Sequence, residues 1–69
     1  MNKNILEQIV SDIVQEADEL KSKKKNDYEE GQLLAFASVL DIIKSACAGY
    51  DLKEIGLDFD VDERYLIGR

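Results

Sequence analysis

The chain has 69 residues, nine basic and fifteen acidic side chains, no His and a formal net charge of −6. A chain of this size forms one domain, residues 1–69, and buries a smaller share of its surface than a larger one, so its core needs a supplement. Cys47 is the only cysteine, which excludes an internal disulfide and argues against a zinc site, so self-association is the remaining common device.

Hydrophobic residues make up 45% and charged residues 35% of the chain, and Pro is absent; this is globular composition favouring helix. No apolar run approaches the roughly 18–20 residues of a membrane span. Met1-Asn2-Lys3-Asn4 leads into an amphipathic pattern rather than a signal peptide, which predicts a cytoplasmic protein. The lone Cys47 suits a reducing compartment, where it packs as a small hydrophobe.

Ile5, Leu6, Ile9, Val10, Ile13, Val14, Ala17 and Leu20 recur at spacings of three and four, which predicts a helix over about residues 4–24 with one apolar face. Asn2 or Asn4 can cap its start, and Lys21, Lys23, Lys24 and Lys25 complement the carbonyls at its end. A turn over 21–27 follows. Asp27 with Glu30 has the spacing of a capping box and opens a second helix over about 28–48.

The apolar positions of that helix are Tyr28, Ala35, Phe36, Val39, Leu40, Ile42, Ile43, Ala46 and Cys47, opposite Glu30, Ser38, Asp41, Lys44 and Ser45. They span roughly 180° of the helix circumference, wider than the stripe one partner helix covers. Gly31 and Ala35 are small residues one turn apart that permit close backbone approach. Gly49 supplies the left-handed residue that commonly closes a helix, and Tyr50 can fold back on the last turn.

Residues 49–69 form a tail. Asp51-Leu52-Lys53-Glu54-Ile55 can make one helical turn, and Gly56 separates it from Leu57-Asp58-Phe59-Asp60-Val61-Asp62. Strict alternation there predicts an extended segment with Leu57, Phe59 and Val61 on the hairpin and three aspartates in water. The aspartate spacing fails as a calcium loop, because Glu63 stands where the turn needs Gly and Arg69 where a bidentate Glu is needed. Asp58, Asp60 and Asp62 are therefore a solvated edge that a basic partner can read. The lysine run is an isolated basic patch in an acidic chain without interleaved aromatics, which argues against nucleic-acid binding. Catalytic inventory is thin too: no His, no paired Cys and no phosphate loop, so a non-enzymatic role without cofactors is expected.

Leu40-Asp41 matches the end of the Ser-Gln-Glu-Leu-Asp signature of the helical-hairpin phosphatases of sporulation signalling, but Ala37, Ser38 and Val39 replace the polar residues that the activity depends on. A longer pattern, Tyr28-x-x-Gly31, Ala35-Phe36-x-x-Val39-Leu40 and Leu52-x-x-Ile55-Gly56-Leu57-Asp58-Phe59-Asp60, resembles small uncharacterised proteins of Gram-positive prophages and mobile elements. That resemblance, over residues 28–62, implies an accessory protein that works by binding.

The expected fold is all-α: a hairpin of two antiparallel helices that dimerises into a four-helix bundle, with a short extended acidic tail. Tyr28, Ala35, Phe36, Val39, Leu40, Ile43 and Cys47 are the expected interface, with Phe36, Leu40 and Ile43 at its seam. The expected function is a protein–protein interaction module, a regulator or inhibitor carried by a mobile element; the alternative is an acidic decoy that mimics nucleic acid and blocks a basic surface of a host protein.

Overall fold

The computed structural model describes residues 3–66. Helix α1 runs Lys3–Lys21 and helix α2 runs Asp27–Ala46, packed against each other as a hairpin. The start of α1 precedes Asn4, which lies within its first turn, and the alternative cap Asn2 lies outside the described residues. α1 ends three residues before the expected position. Ser22 Oγ donates to the Glu19 carbonyl (2.9 Å) and Lys25 Nζ donates to the Leu20 and Lys23 carbonyls (3.0 and 3.1 Å), so side chains take over carbonyls that a longer helix would have paired internally.

The capping box of α2 sits one residue earlier than the sequence pattern indicates. Asn26 is the N-cap, its side chain accepting from the Glu29 amide (2.8 Å) while Glu29 Oε1 accepts from the Asn26 amide (3.2 Å). Two boxes compete here, Asn26/Glu29 and Asp27/Glu30. The first gains an ion pair from Lys23 to Glu29, and this hydrogen bond holds the Glu29 carboxyl below the usual range. Asp27 then falls in the first turn of α2, where its charge complements the helix dipole. α2 ends at Ala46 with Cys47 as C-cap, and Gly49 (φ 104°) turns the chain two residues later. Tyr50 stays exposed instead of folding back.

The tail is more structured than an extended strap. Leu52–Ile55 form a 3₁₀ turn capped by the Asp51 side chain, which accepts from the Lys53 amide (3.0 Å), and Gly56 (φ 80°) closes it in a left-handed conformation. Residues 57–60 are non-helical, and Val61–Tyr65 form a third helix, α3, whose N-cap Asp60 accepts from the Glu63 amide (3.1 Å). Leu57 and Val61 point inward and Phe59 is half-buried, as the alternation requires, but the segment leads into α3 with Tyr65 buried one turn on.

One core results, made of Val10, Ala17 and Leu20 from α1, Leu33, Ala37 and Leu40 from α2, and Ile55, Leu57, Val61 and Tyr65 from the C-terminal segment. The 3₁₀ turn rests on α1, beside Val10, Ser11 and Val14, and α3 rests on α2. The C-terminal third thus closes one side of the hairpin cleft. Among the described residues there is no strand, and no helix is long and apolar enough to cross a membrane.

Candidate interaction surface

The side of the hairpin opposite the C-terminal segment is left uncovered by any described element. On α2 it carries Tyr28, Ala35, Val39, Ile42 and Ala46, all exposed, with Tyr28 at 73% and Ile42 at 67%. These residues follow one another at intervals of seven, four, three and four, with half-buried Gln32 filling the long gap. That is a continuous three-four row, the pattern by which one helix presents a seam to another. Phe36, Ile43 and Cys47 flank the row, half-buried where the cleft begins. On α1 the same side begins with exposed Ile5 and Ile9.

Charge is absent from this part of α2. Of the nine basic and fifteen acidic residues of the chain, the stretch 31–50 holds only Asp41 and Lys44. Both are turned to the other side: Lys44 Nζ donates to the Phe59 carbonyl, and Asp41 faces Asp62 at the start of α3. Desolvation there, then the hydrogen bond and repulsion from Asp62, raises the Asp41 carboxyl above the usual range, partly opposed by Lys44. The outward row of α2 is therefore wholly uncharged, although charged side chains make up 35% of the chain.

Of the residues expected at the interface, Tyr28, Ala35 and Val39 lie exposed on the open side, and Phe36, Ile43 and Cys47 border it. Leu40 does not. It is fully buried in the chain's own core with Leu33 and Ala37, two residues the expected stripe omits. A half-circumference apolar arc serves two surfaces at once, and the half centred on Leu33, Ala37 and Leu40 is the one that packs inside the chain. Ile42, Ile5 and Ile9 take their place on the open side. Their signal in the sequence is the three-four spacing of an apolar row beyond what one cleft needs.

Asp58, Asp60 and Asp62 are exposed as expected, but they are not equivalent. Asp58 has its side chain in solvent, Asp60 caps α3, and Asp62 stands beside Asp41.

A second polar cluster, invisible to periodicity, fastens α3 to α1. Asp18 Oδ1 accepts from the Tyr65 hydroxyl (2.8 Å) and from Arg64 Nε (3.3 Å), and Asp18 Oδ2 accepts from Arg64 Nη2 (2.9 Å). The Arg64 guanidinium lies 4.4 Å from the Phe59 ring centre, and the Phe59 and Tyr65 rings meet edge to face at 6.2 Å. Burial and the Asp18 carboxylate push the Tyr65 hydroxyl up to about 12, while hydrogen bonding to Asp18 raises Arg64. Every group in this cluster is satisfied by another, so it fixes structure rather than holding a reacting centre ready.

Among the described residues no three of His, Cys, Asp and Glu are grouped to hold a metal ion. Comparison with protein-family models, with curated proteins and with solved structures finds no match to this chain.

Proposed function

We propose that the chain is a non-enzymatic protein–protein interaction module that works as a homodimer, docking through the open side of the hairpin. The observation that carries this reading is the uncharged row Tyr28, Gln32, Ala35, Val39, Ile42 and Ala46 in a chain otherwise dense with charge. Interface cores are depleted in charge, and contiguous apolar patches on small soluble proteins mark association sites. The short chain adds a reason: a second copy would turn a two-helix cleft covered on one side into a four-helix core covered on both. The resemblance of residues 28–62 to mobile-element proteins supports a role as an accessory regulator or inhibitor.

The test is charge insertion. Ile42→Glu on the open side should dissociate the dimer while helicity by circular dichroism is kept, because Ile42 is exposed in the single chain. Leu34→Glu, at a residue equally free of the core but outside the row, should leave association unchanged. Equal effects of the two variants would overturn the assignment of the surface.

A second reading has its own observation. Asp58, Asp62 and Glu63 are exposed along one short segment of a chain of net charge −6, which suits an acidic decoy for a basic surface. Binding of that kind weakens steeply with salt, whereas docking through the uncharged row does not.

A further inference from the structure

The fold adds a base from the far end of the chain to the lysine run. Asp18, Lys21 and Ser22 share one face of α1 at spacings of three and four, and Arg64 of α3 meets that face, so the four residues line one hollow beside the turn. Lys21, Lys23, Lys24, Lys25 and Arg64, five of the nine basic residues, are thereby gathered in a chain whose net charge is −6.

The donors already in use decide what this hollow can hold. Asp18 is spent: its two oxygens accept from the Tyr65 hydroxyl and from Nε and Nη2 of Arg64. The clasp therefore uses one edge of the guanidinium and leaves the two N–H groups of Nη1 without a partner among the described residues. Lys21 Nζ has no partner among them either, because the carboxylate one turn before it is taken by α3. Lys23 pairs with Glu29, and Lys25 donates to the Leu20 and Lys23 carbonyls. Together with the Ser22 hydroxyl on the Glu19 carbonyl, Lys25 covers the carbonyls at the end of α1, so the negative end of the helix dipole is screened from the hollow. What remains is an ammonium from α1 and a guanidinium edge from α3, two like charges that an anion between them would join.

We propose that this hollow binds a single phosphate group, held between Lys21 Nζ and the Nη1 edge of Arg64, and that the bound anion fastens α3 to α1. The site is separate from the open side of the hairpin and does not depend on how many copies associate. A phosphate offers charge and several acceptor oxygens, so it accepts from the ammonium on one wall and from the planar fork on the other at once. One phosphate fits, whereas a polynucleotide does not: Glu19 and Asp27 flank the lysines, and the chain as a whole repels a strand of successive phosphates.

The test is titration of the ¹⁵N-labelled full chain with inorganic phosphate at neutral pH and constant ionic strength. Saturable shifts should appear at the Lys21 and Ser22 amides and at Arg64 Nε. Lys21→Gln, at an exposed position, should weaken binding about tenfold or more, the loss of one charged hydrogen bond. Lys24→Gln, equally exposed in the same turn, should weaken it by less than about twofold. At saturation the Arg64 and Leu66 amides, which donate to the Asp60 and Asp62 carbonyls within α3, should exchange with solvent more slowly. Shifts that do not saturate, or equal losses in the two variants, would mean an adventitious ion on a general basic patch and would overturn the site. Unchanged exchange would overturn the fastening of α3. Tighter binding of a single-stranded oligonucleotide without a terminal phosphate would overturn the choice of ligand in favour of nucleic acid.

Discussion

Removing the Asp18 carboxylate tests whether α3 is an integral part of the fold. Tyr65 is 1% exposed, and its hydroxyl donates to Asp18 Oδ1 at 2.8 Å. Asp18→Ala leaves that hydroxyl buried without an acceptor, a loss of about 1–3 kcal/mol. The ion pair contributes less, because the Asp18 and Arg64 side chains are 42% and 37% exposed; such pairs are worth up to about 1 kcal/mol. The variant should therefore lose about 2–3 kcal/mol in urea unfolding at fixed chain concentration, a large part of what a small domain has. Tyr65→Phe removes the donor together with the need for an acceptor, so in that background Asp18→Ala should cost no more than about 1 kcal/mol. The difference is the coupling between the two residues. Losses that simply add would refute the account, since they would mean the hydroxyl draws nothing from the carboxylate. Alkaline pH gives a second readout. The Tyr65 ionisation is raised above its ordinary value, so its contribution is fully present below about pH 10 and is lost as pH rises through about 12. Tyr65→Phe should remove this phase of alkaline unfolding.

Leu40→Ala should cost about 2–5 kcal/mol and should do so equally in an Ile42→Glu background, where the proposed dimerisation is expected to be lost; a loss confined to the unaltered background would return Leu40 to the interface. Asp60→Ala should cost about 1 kcal/mol through the lost cap of α3, whereas Asp58→Ala should change the urea midpoint by less than about 0.5 kcal/mol; equal effects would show that the aspartates act only as bulk charge. Asp41 is raised above its ordinary range, so its contribution is favourable when protonated and turns unfavourable as pH rises through its folded value. Asp41→Asn should accordingly stabilise at pH 7, by up to about 0.5 kcal/mol, and the difference should fade below the carboxylate range; destabilisation at pH 7 would contradict repulsion from Asp62.

Much of the architecture is legible in the residues. The three-four spacing of Ile5 through Leu20 and of Tyr28 through Cys47 marks both long helices, because a face buried on one side repeats with the helical turn. Their ends are less legible. Asn26/Glu29 and Asp27/Glu30 both spell a capping box, and a tertiary contact, the Lys23 ion pair, distinguishes them. Helix α3 is hidden for a different reason. Leu57, Phe59 and Val61 alternate as a strand does, while Asp60-x-x-Glu63 has the spacing of a helix cap, and the two patterns overlap. The buried Tyr65, one turn after Val61, decides in favour of the helix. Leu40 was expected at the seam because periodicity reports that a face is apolar without reporting what covers it. Only the placement of α3 on the Asp41 and Lys44 side of α2 shows which half of the arc is left open. The Asp18, Arg64 and Tyr65 cluster joins residues 46 and 47 positions apart in the chain, a distance no local pattern spans.

The central claim, that the uncharged row on α2 is covered by a second copy, is tested most directly by sedimentation equilibrium of the unaltered chain at micromolar concentration. The account predicts twice the 7.8 kDa chain mass, with dissociation only on dilution and little dependence on salt. A chain that sediments as a monomer at that concentration and still unfolds cooperatively would contradict it.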